Sequence, residues 1–96
     1  MSVLVLIDLK VKPELVESTK ARLQEGLQDI RKFDGCEEAL MHVNQDDSAN
    51  LLFAERWTSR GEYEAYRAWR AQRGDNAWLT STLIGPLVVR VFDVLA

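Results

Sequence analysis

The chain has 96 residues, 47% hydrophobic and 28% charged, with a formal net charge of −3. That is one domain over 1–96, with enough apolar content to fold, which excludes a disordered chain. The acidic balance argues against a non-specific nucleic-acid binder, which needs a basic footprint. Cys36 is the one cysteine, so no disulfide can form within the chain, which fits a reducing compartment. The apolar start, Met1 to Asp8, has no basic region before it and no small-residue cleavage site after it, and it does not read as a secretory leader. No run approaches the ~18 apolar residues of a membrane span. The expected location is the cytoplasm, with no nucleic-acid or membrane partner.

Val3 to Val11 reads as a strand, with every odd position apolar and Leu4 and Leu6 apolar on the other face. A strand apolar on both faces is covered on both sides. Pro13 opens a helix, where its missing N–H is tolerated, and Glu14 and Glu17 suit the first turn. Val16, Leu23, Leu27 and Ile30 recur at helical spacing. Gly26 within this helix suggests a close approach to the sheet. Phe33-Asp34-Gly35 ends it.

Cys36 to Asn44 alternates as a second strand, and Gln45 to Asn50 is a turn cluster. Leu51 to Thr58 is a third strand, with Leu51, Phe53, Glu55 and Trp57 on one face. Ser59 with Glu62 forms a capping-box signature for a second helix that runs to about Arg73, where Gly74 stops it. Asp75 to Ile84 is a short helix or turn-rich segment. Pro86 precedes a last strand, Leu87 to Leu95.

The order β-α-β-β-α-β predicts an α+β, ferredoxin-like fold with an antiparallel four-stranded sheet and helices on one face. Several strands carry large apolar residues on both faces, so the second face needs a cover. A second copy of the chain is the simplest one, and a homodimer is expected.

Val11-Lys-Pro-Glu14 opening helix one, Asp34-Gly-Cys36 before strand two, Phe53-Ala-Glu-Arg-Trp-Thr-Ser59 ending strand three and Gly85-Pro86 before the last strand stand in one ordered set. In this set the chain resembles the antibiotic biosynthesis monooxygenase family of dimeric α+β-barrel proteins. The resemblance implies a homodimer with sheet packed on sheet, and an apolar pocket between sheet and helices. It implies a cofactor-independent monooxygenase acting on an aromatic or quinol-like small molecule. An isomerase on the same scaffold and a non-catalytic ligand-binding dimer are the alternatives. Where many relatives carry a His in helix two, this chain has Tyr66, and Phe53 stands where some oxygenase relatives have an amide. The one histidine, His42, lies on strand two, away from the segment 74–79 where haem-degrading relatives hold iron.

Cofactor-free oxygenation requires a base, a dry aromatic pocket and a donor for the oxyanion. Residues 53–73 hold two of the three Trp and both Tyr. Trp57, Tyr63 and Trp69 are the candidate ring contacts, with Arg56 and Arg90 as holders of an anionic substrate. Asp8, His42 and Tyr66 are the candidate acid–base groups. Cys36 and His42 are six residues apart on one strand, roughly 20 Å at ~3.3 Å per residue, and cannot form a dyad within one chain. The sequence carries no metal-ligand constellation and no glycine-rich phosphate loop. No cofactor is expected.

Overall fold

The computed structural model describes residues 2–96. β1 (Val3–Lys10) and β3 (Asp47–Trp57) form the centre of one antiparallel sheet, with β2 (Cys36–Asn44) and β4 (Val88–Asp93) at its edges, in the order β2-β3-β1-β4. This is the expected ferredoxin-like arrangement. Among the described residues the α-helices are α1 (Val16–Arg31), α2 (Arg60–Gln72) and α3 (Asp75–Thr82).

Strand parity explains the layering. Val3, Val5 and Leu9 of β1 and Leu51, Phe53 and Trp57 of β3 are buried on the helix side, and in register Val3 faces Trp57, Val5 faces Glu55 and Ile7 faces Phe53. Val16, Leu27 and Ile30 of α1, Tyr63 of α2 and Leu83 close the same core. Burying such side chains contributes about 1.5–3 kcal/mol each, which is what holds the helices to the sheet. The even positions of β1 share the opposite face with Leu40, Val88 and Phe92, all three of them exposed.

Several boundaries differ from the sequence reading. The helix that Pro13 opens begins as a 3₁₀ turn, Pro13–Leu15, before α1 proper, because two i→i+3 bonds, Leu15 N–H to the Lys12 carbonyl and Val16 N–H to the Pro13 carbonyl, close around the proline. The turn cluster is shorter than its composition suggests. Only Gln45 and Asp46 turn, since Asn44 accepts the Asp46 N–H at 2.8 Å and donates to Asn50 at 3.0 Å, which ties both strands together at their tip. β4 ends at Asp93, where its pairing with Val3 of β1 ends.

The expected capping box forms by half, since the Glu62 carboxylate accepts from the Thr58 and Ser59 hydroxyls and not from the Ser59 N–H. Ser59 is the N-cap of α2, its hydroxyl accepts from the Glu62 N–H, and it donates back to the Glu62 carboxylate at 3.2 Å. Gly74 follows α2 with φ of 79°, a left-handed turn that favours glycine. Gly26 has a different use from the one expected. Its carbonyl accepts from Arg70 Nη2 at 3.0 Å, and a Cβ there would lie 3.1 Å from that nitrogen. The missing side chain makes room for Arg70 of α2, not for the sheet.

Candidate active site

A cavity of about 590 Å³ opens between the helix face of the sheet and the three helices. Its floor is Ile7, Leu9, Phe53 and Val89, and Leu23 and Leu27 of α1 and Leu79 of α3 form apolar walls. The size and lining are those of a small-molecule site. Four polar side chains break the apolar surface from inside: Glu55, Tyr63, Tyr66 and Arg70.

Glu55 is only 3% exposed. It sits mid-strand, between Val5 of β1 and Ala39 of β2, where the pleat aims it at the core. Trp57 Nε1–H donates to its Oε1 at 3.0 Å. Burial raises the carboxyl from its usual 4.5 to about 7, and the Trp57 bond and the Arg70 charge pull the other way without offsetting it. A buried acid poised there exchanges a proton at neutral pH, the property a general base needs.

Tyr66 and Arg70 lie one turn apart on α2. Arg70 Nε donates to the Tyr66 hydroxyl at 2.7 Å, Nη1 donates to Asp75 at 2.8 Å, and Nη2 donates to the Gly26 carbonyl at 3.0 Å. One guanidinium thereby ties α1, α2 and α3 together around the cavity. Burial pushes the Tyr66 phenol up to about 12, against the lowering effect of Arg70. Tyr66 therefore keeps its proton. Because its oxygen already accepts from Arg70, its own O–H is available as a donor. Burial raises Tyr63 as well, followed by the nearby Glu55 charge.

Behind the cavity stands an aromatic stack. Trp57 lies 5.4 Å from Tyr66 and 6.1 Å from Tyr63 between ring centroids, and Phe33 lies 5.3 Å from Tyr66 and 5.6 Å from Trp69. Each such pair adds about 0.5–1.5 kcal/mol beyond its buried area and fixes ring orientation.

The structure separates the residues singled out from sequence into two groups. Tyr63 and Tyr66 line the cavity. Trp57 is fully buried behind it and touches it through Glu55. Trp69 packs on Phe33 and Tyr66, under Arg73 at 4.5 Å, outside the lining. Asp8, His42 and Arg90 lie on the opposite face of the sheet, around a shallow depression of about 230 Å³. There Asn50 donates to Asp8 at 2.6 Å, and His42 Nδ1 lies 3.2 Å from the Leu52 carbonyl. Arg56, opposite Leu4, is exposed on that same face. The two groups cannot meet within one chain, because the sheet stands between them.

Glu55 and Arg70 are absent from the sequence-based candidates. The signal for Glu55 was available, since strand parity puts this carboxylate on the buried face with Phe53 and Trp57. Arg70 follows Tyr63 and Tyr66 at helical spacing, but its partners Gly26 and Asp75 come from other helices. Cys36 is half-buried, and burial, then the Glu55 charge, pushes its thiol up. Among the described residues no three His, Cys, Asp or Glu side chains converge as metal ligands. Among them too, no helix is long and apolar enough to cross a membrane.

Comparison with known proteins places this geometry in context. The family model described as antibiotic biosynthesis monooxygenase matches residues 2–74. In overall fold the chain is similar to the structure of Rv0793 from Mycobacterium tuberculosis, at 23% identity and a TM-score of 0.89, covering 100% of this chain and 97% of that one. It is similar to a structure described as an antibiotic biosynthesis monooxygenase, at 18% identity and a TM-score of 0.88, covering 98% and 99%. PA3566 from Pseudomonas aeruginosa matches at 19% identity with a TM-score of 0.79, covering 99% and 95%. No curated protein matches the chain.

Proposed function

Because the chain belongs to the antibiotic biosynthesis monooxygenase family, we propose that it is a cofactor-independent monooxygenase of an aromatic or quinol-like small molecule, with Glu55 as its base. The observation that carries this reading is a buried carboxyl group, pushed up to about 7, that faces a cavity with an apolar floor beside Tyr63 and Tyr66.

The chemistry asks little more of the protein. The substrate is a hydroxylated ring system with an acidic ring CH₂ or phenol. Glu55 takes a proton and becomes the neutral acid, the form its buried site favours, so transfer relieves desolvation instead of adding to it. The resulting carbanion passes one electron to O₂, and the radical pair joins as a C–O bond. Glu55 returns its proton to the peroxide. It then removes the proton remaining on the oxygenated carbon as the O–O bond breaks, and protonates the leaving hydroxide. The balance is CH₂ + O₂ → C=O + H₂O, with all electrons drawn from the substrate. Tyr66, held as a phenol, donates to the ring oxyanion, and Tyr63 shapes the wall beside it. Apolar walls keep water from quenching the carbanion. Asp8 and His42, across the sheet, have no part in this step.

The partner we propose is a second copy. The face bearing Leu4, Leu6, Leu40, Val88 and Phe92 has no cover in one chain, and sheet-on-sheet packing would bury it. Asp8, Arg56 and Arg90 then become interface groups. Light scattering behind size exclusion should give twice the 11.0 kDa chain mass. A monomer at micromolar concentration refutes the dimer.

The functional test is oxygen uptake by metal- and flavin-free protein against an anthrone and hydroquinone panel, with ¹⁸O₂ labelling of the product. One labelled oxygen per product and loss of turnover in Glu55→Gln support the reading. Uptake no faster than autoxidation for every compound refutes it.

A further inference from the structure

The cavity mouth is more basic than its walls require. Arg22 of α1, Arg67 and Arg73 border it, with Arg70 just inside, against Glu25, Asp29 and Asp75. Their pairing is unequal. Arg70 is consumed by Asp75, Gly26 and Tyr66. Arg73 shares Asp29 at 3.7 Å and Asp75 at 3.8 Å, both longer than a hydrogen bond. Among the described residues neither Arg22 nor Arg67 makes a hydrogen bond or ion pair, and of the two only Arg22 is held by a ring. Its guanidinium carbon lies 4.0 Å over the ring of Trp78 on α3.

That stacking occupies the face of the guanidinium and leaves its edge open. A planar, permanently charged group held by its face presents paired N–H donors, which match a carboxylate in bidentate fashion. Trp78 holds the side chain over the mouth and lowers the entropy lost on binding an anion. The cation inside, Arg70, already donates to Tyr66, Asp75 and Gly26. The interior's one free acid, Glu55, is neutral or singly charged near pH 7, and neither Tyr63 nor Tyr66 carries charge there. An anionic substituent is therefore stable at the mouth and unfavourable inside, while an apolar ring system has the reverse preference. The two ends of the site select opposite chemistry.

We propose that the substrate is an aromatic carboxylate whose rings enter the apolar cavity and whose anion is held at the mouth by the edge of Arg22 stacked on Trp78. This deepens the oxygenase reading and rests on it for the reaction, though not for the binding. The anion would also fix orientation, placing the far ring, not the carboxylated one, toward Glu55.

The test uses binding to the full chain, so that it does not depend on turnover. Calorimetry compares 3-hydroxy-2-naphthoate with the isosteric neutral 3-hydroxy-2-naphthamide, for the native protein and for Arg22→Met, which keeps the stem over Trp78. A bidentate charge-assisted contact at an exposed mouth predicts roughly tenfold preference for the carboxylate. The preference should fall as salt rises and vanish in Arg22→Met, with the amide affinity unchanged. Equal affinities in the native protein, an unaltered preference in Arg22→Met, equal weakening of both ligands, or no binding of the carboxylate would each overturn the anion site. Carboxylate preference without oxygen uptake by any substrate would leave the anion site standing and refute the oxygenase reading. Uptake with no charge preference would do the reverse.

Discussion

Replacing Glu55 by Gln keeps the shape and keeps an oxygen for the Trp57 donor, but removes the ionisation. In the native protein the folded-state value of about 7 stands above the ordinary 4.5. The sign follows from proton linkage. A group raised on folding holds its proton longer in the native state, so its stabilising contribution is complete below about pH 4.5. It is lost as pH rises through about 7, because the unfolded chain ionises first. At about 1.4 kcal/mol per pH unit the loss is at most about 3 kcal/mol. Glu55→Gln lacks this loss. Urea unfolding of both proteins at pH 4.5 and pH 8.5, at equal protein concentration, should show the native chain losing about 3 kcal/mol more than the variant across that interval. For a domain of this size the same difference is worth about 10–20 °C in Tm. Other carboxylates titrate in both proteins and cancel. Parallel pH dependences for the two proteins would refute the argument that Glu55 is buried and ionises near neutrality.

Three further outcomes follow from single contacts. Trp57→Phe removes the donor that opposes the upward push on Glu55, so the midpoint of the Glu55 carboxyl in ¹³C-detected NMR should move to higher pH; an unchanged or lower midpoint contradicts the bond. Gly35→Ala meets a backbone at φ of 91° and would drive a methyl into the Glu62 carboxylate, so chemical denaturation should show about 2 kcal/mol of destabilisation and a weakened α2 cap. Gly26→Ala should realise its helix-propensity gain of about 1 kcal/mol in an Arg70→Met background and less in the native chain. Equal gains in both would mean that Arg70 does not occupy the space beside Gly26.

The fold was legible because its signals are local and periodic. Pro13, the Ser59–Glu62 capping pair and Gly74 mark helix ends by backbone chemistry that needs no distant partner, and the two-face apolar pattern of Val3 to Leu9 marks a central strand. The site was legible only in part. Tyr63 and Tyr66 share a helix face, and that face was readable. Trp57 was read as a ring contact because it is a large aromatic in the cluster of residues 53–73; in the fold it is fully buried and its donor is taken by Glu55, two residues away on the same face. Asp8 and His42 drew attention as isolated ionisable groups in apolar strands, but strand parity turns them away from the helices. Gly26, Arg70 and Asp75 act together only because three helices converge, and no spacing in the chain announces that.

The pH dependence of kcat/KM for oxygen uptake reports ionisation of the free protein, and with it that of Glu55. With a substrate whose own ionisation lies above about pH 9, kcat/KM should rise with pH through a midpoint near 7 and level off. Glu55→Gln should be flat and slower by at least about a hundredfold. A native profile that is flat from pH 5.5 to 8.5, or a Glu55→Gln protein that retains both rate and midpoint, would contradict the claim that Glu55 is the base.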